Sequence, residues 1–195
     1  MKVNEIIVEV EQIEVGKAKG KWADTDPSTE KDVIERGAVL LGKTKSGHRI
    51  YNNKKPWYAN NILSGYYAIN PVNNKVDLML EAYEKNNVLR SLRIRAISKK
   101  NTLKAHDFYH YLITKLNKVL VADKQSPGGE AVWRQLQKFH RDVTIHGWLD
   151  GKPVNIDMND PEYTHAPEAQ GWFDNDPPEI KAARKMELVA SKKVK

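Results

Sequence analysis

The sequence predicts an α+β fold in which one mixed sheet carries helices on its faces. Two observations support this class. Short alternating segments separated by turn residues fill most of residues 1–98, which is typical of antiparallel strands. Residues 91–148 then follow the order strand, helix, strand, helix, strand, which favours parallel or mixed pairing. We expect one domain over residues 1–157, followed by an acidic, proline-rich arm and a short basic helix or tail over residues 158–195.

The composition of the 195 residues indicates a soluble, cytoplasmic protein. The chain has no cysteine, which excludes a disulfide framework and favours a reducing compartment. It has no apolar run of the roughly 18 residues needed to cross a bilayer, so we expect no membrane partner. The net charge of +7, from 32 basic and 25 acidic residues, permits nucleic-acid binding without requiring it.

The first elements are short. Residues 3–15 alternate between apolar and polar side chains and predict a strand. A short helix should follow, capped by Ser28 or Thr29 and ended by Gly37. The segment "AVLLGKTKSGHRIYNN" then predicts a hairpin that turns at its KSG triplet.

The middle of the chain predicts further strands. "GYYAI" should be a strand stopped by the Asn-Pro pair that follows it. "KVDLMLEAY" and "VLRSLRIRAIS" are close in sequence and predict an antiparallel hairpin. Alternation in the second strand places Arg93 and Arg95 on one face and Leu92, Ile94 and Ala96 on the other.

The last part of the predicted domain alternates helices with strands. "KAHDFYHYLITKL" has an apolar stripe at helical spacing, and "KVLVADK" is the short apolar run of a buried parallel strand. "SPGGEAVWRQLQKF" predicts a second helix, and "DVTIHGW" with "DGKPVNI" predicts a hairpin across Asp-Gly. Beyond the proline-rich segment, "EIKAARKMELVA" predicts a short terminal helix.

Over roughly residues 65–150 this order resembles the fold of the GCN5-related N-acetyltransferases (GNAT). The chain is also similar to the divergent GNAT-like proteins of tailed bacteriophages, in which patterns of the form "D…QS.GG…W..L" are familiar. The resemblance implies a mixed central sheet with helices on both faces. The corresponding segments are a central strand at residues 91–98, a coenzyme loop at 99–105 and a helix at 106–116. A diverging strand at 119–123, a helix at 129–139 and a last strand at 143–148 follow.

The resemblance implies an acyl-CoA-dependent N-acyltransferase that uses acetyl-CoA and an amine acceptor. Asp123, or a water, would take the proton of the amine. Backbone N–H groups of the central strand would polarise the thioester, and those of the loop would hold the coenzyme pyrophosphate. The implied cofactor-binding residues are Ile94, Ala96, Ile97, Lys100, Asn101, Thr102, Leu103, Lys104, Ala105 and His106.

The chain departs from the family pattern at two positions. Leu103 replaces the central glycine of the loop, so its side chain should obstruct a phosphate, and the loop is degenerate. Trp133 replaces the tyrosine that often acts as the general acid, and an indole is no acid. The alternative is therefore a non-catalytic GNAT-scaffold binding or assembly protein with a protein or nucleic-acid partner, which could also form a homodimer. A phage-encoded protein would act in the host cytoplasm or the virion.

Other interpretations of the predicted site also stay open. The loop lysines could cradle an anion or could face water, and Asp123 could cap the next helix together with Ser126. His106 and His110 lie one helical turn apart and could share a metal. The further ligands would be Asp107, His140 or His146, but spacing fixes no third ligand, and we predict no metal site.

Two surfaces could bind a macromolecular partner. A basic strand beside aromatic residues could bind nucleic acid, or its arginines could instead pair with Glu81 and Glu84 across the sheet. The basic residues are Arg90, Arg93 and Arg95, with Lys99 and Lys100 beyond them, and the aromatic residues on strands that could neighbour them are Tyr66, Tyr67 and Tyr83. Trp172 and Phe173, in the acidic arm, could anchor a partner or could pack on their own domain.

Overall fold

A computed structural model describes residues 26–56, 62–98, 101–122, 127–149, 152–160 and 186–194. These ranges contain three helices and nine strands of one sheet. The elements in chain order are α1 (Glu30–Glu35), β1 (Val39–Lys43), β2 (Arg49–Pro56), β3 (Ile62–Ile69), β4 (Val76–Lys85), β5 (Val88–Ala96), α2 (Ala105–Lys115), β6 (Val119–Ala122), α3 (Pro127–Phe139), β7 (Val143–Leu149), β8 (Lys152–Val154) and β9 (Glu187–Lys192).

The sheet is mixed, which confirms the predicted α+β class. Its strand order is β1-β2-β3-β4-β5-β6-β9-β7-β8. Strands β1 to β5 form an antiparallel meander, and β6 then pairs with β5 in parallel through the crossover helix α2. The remaining pairs are antiparallel. The predicted hairpins and the buried parallel strand are therefore correct.

Helix α1 begins with a capping box at Thr29. The Thr29 hydroxyl accepts a hydrogen bond from the Asp32 amide at 3.2 Å, and the Asp32 carboxylate accepts one from the Thr29 amide at 2.9 Å. Gly37 follows the helix with φ of 79°, a left-handed conformation that favours glycine. These contacts confirm the predicted short helix.

Helices lie on both faces of the sheet, as predicted. Helices α2 and α3 cover one face, where Leu112 and Trp133 pack against Leu80 and other apolar residues of the main core. Helix α1 covers part of the other face, where Val33 packs in a smaller cluster with Tyr67. The central strands β3 and β4 are thus buried on both faces and carry few exposed residues, whereas β1 is largely exposed.

A β-bulge at Asp77 interrupts the pairing of β3 with β4. Ala68 pairs with Leu78, whereas the next residue, Ile69, pairs with Val76, which leaves Asp77 as the extra residue. The bulge turns Val76 to the α1 face, although simple alternation had placed it with Leu78. Bulges re-aim side chains, and this one directs an acidic side chain into the interior.

The C-terminal strand β9 lies between β6 and β7. The predicted terminal helix is therefore wrong over Glu187–Lys192. Leu188, Val189 and Ala190 are each fully buried, because this strand is covered on both faces. Part of the segment that was predicted to be an arm or tail thus belongs to the central sheet.

Several predictions fall outside the described residues. These include the strand at residues 3–15 and the arm with Trp172 and Phe173. None of the helices in the described ranges has the length and apolar character needed to span a membrane.

Candidate functional site

The predicted coenzyme-binding segment runs from the end of β5 into α2. Among the described residues, β5 pairs with β6 from Val88 to Arg90, and β5 itself runs on to Ala96. Three of the four residues of β6 thus pair with β5, and β6 ends at Ala122. In β5, Ile94 and Ala96 pair with β4, and the amide of Ile97 donates a hydrogen bond to the Asp77 carbonyl at 2.9 Å.

The loop between β5 and α2 is anchored by the buried carboxylate of Asp77. The Thr102 amide and hydroxyl lie 3.1 and 3.0 Å from Asp77 Oδ2. Asn70 Nδ2 and His48 Nε2 lie 3.1 and 3.0 Å from the same oxygen. Asp77 is fully buried, and its other oxygen has no hydrogen-bond partner among the described residues. An internal anion thus occupies donors that a phosphate would otherwise use.

The His48 ring extends this network to an exposed turn. Ser46 Oγ lies 2.9 Å from His48 Nδ1 and 3.0 Å from Thr44 Oγ1. The order hydroxyl, imidazole, carboxylate is that of a serine hydrolase triad. However, Thr102 Oγ1 also lies 3.0 Å from His48 Nε2, and Thr44 Oγ1 accepts from the His48 amide at 3.1 Å. We therefore assign this hydrogen-bond network a structural role: it connects the β1–β2 turn to the loop before α2.

Leu103 and Trp133, the two departures from the family pattern, are both core residues. Leu103 is only 3% exposed, and its amide donates to the side chain of Asn101 at 2.9 Å. Trp133 is fully buried, and its ring packs edge-on against Tyr109 at a centroid distance of 6.0 Å. Its indole N–H has no acceptor among the described residues. Both side chains thus belong to the main hydrophobic core.

The start of α2 contains the remaining predicted loop residues. Lys104 is exposed and precedes the helix without a side-chain cap. Its carbonyl accepts hydrogen bonds from the amides of Asp107 and Phe108 at 3.1 Å each. Ala105 is half-buried, and the structure places His106 beside the end of α3. Lys99, Lys100, Asp123 and Ser126 lie outside the described residues.

The arginine-rich strand β5 is neutralised by acidic neighbours. Arg93 Nε donates to Glu81 Oε2 at 2.8 Å, and Arg95 pairs with Asp26 and lies 3.5 Å from Glu81. Arg90 donates to Glu187 at 2.5 Å. The three tyrosines that were considered as stacking platforms, Tyr66, Tyr67 and Tyr83, are buried. The pairing interpretation of this face therefore fits the geometry better than nucleic-acid stacking.

Glu84 does not pair with these arginines and instead forms a buried cluster at the other end of the sheet. Its carboxylate accepts hydrogen bonds from Ser64 at 2.5 Å, Lys54 at 2.7 Å, Lys118 at 2.8 Å and Tyr66 at 3.0 Å. Burial alone would raise the pKa of Glu84, but the hydrogen bonds from Lys118, Lys54 and Ser64 outweigh burial and lower that pKa to about 2. The cluster joins β2, β3 and β4 to the turn before β6.

A cluster of histidines and aspartates forms where α2 begins and α3 ends. His106 Nδ1 lies 3.1 Å from His140 Nε2, and Asp107 Oδ1 lies 3.4 and 3.1 Å from these two nitrogens. His110 stacks on His140 at a centroid distance of 4.0 Å and contacts Asp142 at 2.9 Å. Burial, opposed by Asp107, lowers the pKa of His106, and burial together with His110 lowers that of His140.

The structure brings together some of the predicted residues and adds others. Of the metal ligands considered from the sequence, His106, Asp107, His110 and His140 meet, whereas His146 contacts Trp148 on β7. Sequence reasoning missed His48, Asn70 and Asp77 because no local motif joins them. Comparison with protein-family models, with curated proteins and with solved structures found no match to this chain. The functional interpretation therefore depends on the geometry.

Proposed function

We propose that this protein is a non-catalytic scaffold with a GNAT-like fold that assembles by pairing with a second copy of itself. The observation that carries the proposal is the apolar character of β1, the outermost strand of the described sheet. Val39, Leu40 and Leu41 of this strand are 65%, 46% and 41% exposed. Consecutive exposed apolar residues on an edge strand are a template for strand addition.

Strand β1 is suited to antiparallel pairing with its own copy. Leu41 is the extra residue of a β-bulge in the pairing with β2, so antiparallel pairing of two copies about Leu41 would bring the two Leu41 residues together at an irregular centre, with Lys43 near Val39 of the other copy. The two lysines would then lie at opposite ends of the pair, roughly 14 Å apart for four residues of strand, so like charges would not meet. Such a contact is isologous, as expected of a dimer with two-fold symmetry.

Two features of the site support binding rather than catalysis. The Thr102 and Leu103 amides, which a coenzyme loop would offer to a pyrophosphate, already donate to Asp77 and Asn101. The arginines of β5 are paired with acidic residues, which favours a protein partner over a polyanion.

Light scattering coupled to size-exclusion chromatography tests the proposal. We expect the wild-type chain to form a dimer whose population rises with concentration. Leu41→Lys and Leu41→Glu should each be monomeric, because like charges would then lie opposite each other. A mixture of the two variants should restore the dimer. Val72→Lys is the matched control, since Val72 is 89% exposed in the turn between β3 and β4.

The outcomes of this experiment are decisive. A wild-type chain that remains monomeric at the highest soluble concentration would overturn the proposal. A dimer that survives both Leu41 substitutions would show that the contact lies elsewhere, and it would overturn the assignment to β1 as well.

A second candidate function is acyl-CoA-dependent N-acyltransfer, and one observation favours it. Strand β5 pairs in parallel with β6 and leads through a loop into α2, which is the order of elements that the resemblance implies for a coenzyme site. Isothermal titration with acetyl-CoA tests this candidate. Saturable binding that weakens in Lys104→Ala, with no loss in Lys45→Ala, would support the enzyme. Heat of dilution alone up to millimolar coenzyme would exclude it.

A further inference from the structure

The histidine cluster has a shape that its own hydrogen bonds do not explain. Three atoms that can all act as lone-pair donors converge: His106 Nδ1, Asp107 Oδ1 and His140 Nε2. The nitrogen of His140 lies 3.1 Å from both other atoms, yet a neutral imidazole has only one N–H to donate. Whichever tautomers the two histidines adopt, at least one of the three contacts therefore joins two acceptors or two donors. A cation at the centre would satisfy all three lone pairs.

The dimensions of this triangle match a small divalent ion. Its sides are 3.1, 3.1 and 3.4 Å. An ion placed about 2.0–2.1 Å from each atom, the distance usual for zinc, would stand about 0.8–1.0 Å above the plane. The angles between ligands would then be about 95–116°, which includes the tetrahedral value. The spacing of the three ligand atoms therefore already suits such an ion.

We propose that His106, Asp107 and His140 form a binding site for a zinc-class divalent metal ion. Two imidazoles and one carboxylate suit zinc, and three protein ligands leave a coordination position for water or substrate. The ligands join the first turn of α2 to the end of α3, so the ion would also link these helices. Asp107 is 44% exposed on its side chain, which gives the ion a route from solvent.

His110 and Asp142 would support this site from outside the triangle. The His110 ring stacks on that of His140 with an interplanar angle of 13°, and His110 Nε2 lies 2.9 Å from both Asp142 oxygens. This contact fixes the position of the His110 ring and hence of the His140 ring beneath it. Groups of this kind orient metal ligands without binding the ion.

Calorimetric titration of the tag-free full chain with Zn²⁺ tests the proposal, and titration with Co²⁺ adds a spectroscopic readout. We expect one ion per chain and the strong visible absorption of a four- or five-coordinate Co²⁺ centre. Asp107→Asn and His140→Gln should each weaken Zn²⁺ binding by more than about 100-fold, beyond the 10–100-fold effect typical of outer-shell partners. His146→Gln is the matched control and should bind as the wild type does.

Further variants and a folding control make the result unambiguous. Asp142→Asn should weaken binding by roughly 10-fold or less if Asp142 only positions His110. Abolished binding in this variant, with binding retained in Asp107→Asn, would overturn the assignment in favour of His110, His140 and Asp142. Circular dichroism and the metal-free Tm show whether each variant is folded. Failure of the folded wild-type chain to bind either ion would overturn the proposal.

Discussion

The substitution Thr102→Val tests how strongly the Asp77 network holds the loop. The Thr102 hydroxyl lies 3.0 Å from the Asp77 carboxylate and accepts a hydrogen bond from Asn70 at 3.1 Å. Valine keeps the shape and the backbone amide but removes the hydroxyl, which contacts Asp77, Asn70 and His48. A hydrogen bond to a charged group contributes about 1.5–3 kcal/mol, and a neutral one about 1 kcal/mol. Asn70 keeps Asp77 as a partner, so we expect a loss of about 2–3 kcal/mol.

Urea unfolding measures this loss directly. With a slope of roughly 2 kcal/mol/M, the midpoint should fall by about 1–1.5 M while the slope stays constant. Thr144→Val is the control, because Thr144 lies exposed on β7 and should change stability by no more than about 0.5 kcal/mol. If Thr102→Val is as mild as this control, the hydroxyl does not hold the loop and the argument from the network fails.

Two further predictions concern the sheet. Glu84→Gln should cost about 3–5 kcal/mol, because it removes a buried carboxylate that pairs with Lys118, whose side chain is only 12% exposed, whereas Glu35→Gln should be nearly neutral at its exposed site. Because the folded-state pKa of Glu84 is lowered to about 2, its contribution is complete above about pH 4.5 and is lost as pH falls through 2. Acid unfolding of the wild type should therefore be steeper over this range than that of Glu84→Gln. Leu188→Ala in β9 should cost about 2–5 kcal/mol by denaturant unfolding, and a neutral result would contradict the placement of β9 in the core.

The elements that could be predicted are those whose periodicity is visible in the sequence. Strand β5 alternates arginine with apolar residues because its two faces meet different surroundings, and helix α2 has an apolar stripe because one side packs on the sheet. Turn residues marked the hairpin between β1 and β2. These signals are local, so they do not depend on where an element lies in the sheet.

Strand β9 could not be predicted because its signal is not local. "ELVASK" is short and is buried on both faces, so it shows no alternation, and helix-favouring residues precede it. Its extended conformation depends on pairing with β6 and β7, and both strands are distant from β9 in sequence. The bulge at Asp77 could not be predicted for the same reason, because a one-residue change of strand register has no local signature in the sequence.

The candidate sites were predicted in part. The sequence identified His106 and His110 on one helix face, but it could not select His140, which lies 34 residues further along the chain from His106. The loop was located correctly between β5 and α2, and Leu103 was recognised as a departure from the family pattern. The hydrogen bonds that close this loop onto Asp77 were not predicted. Thr102 and Asp77 are 25 residues apart, and only the folded sheet brings them together.

Amide hydrogen exchange at Thr102 and Leu103 tests most directly whether the loop is closed by the protein itself. Both amide N–H groups already donate hydrogen bonds within the protein, so we predict slow exchange in the ligand-free chain. We also predict that neither NMR resonance changes when millimolar acetyl-CoA is added. Fast exchange that becomes slow when acetyl-CoA is added would contradict the account and would restore the loop as a coenzyme site.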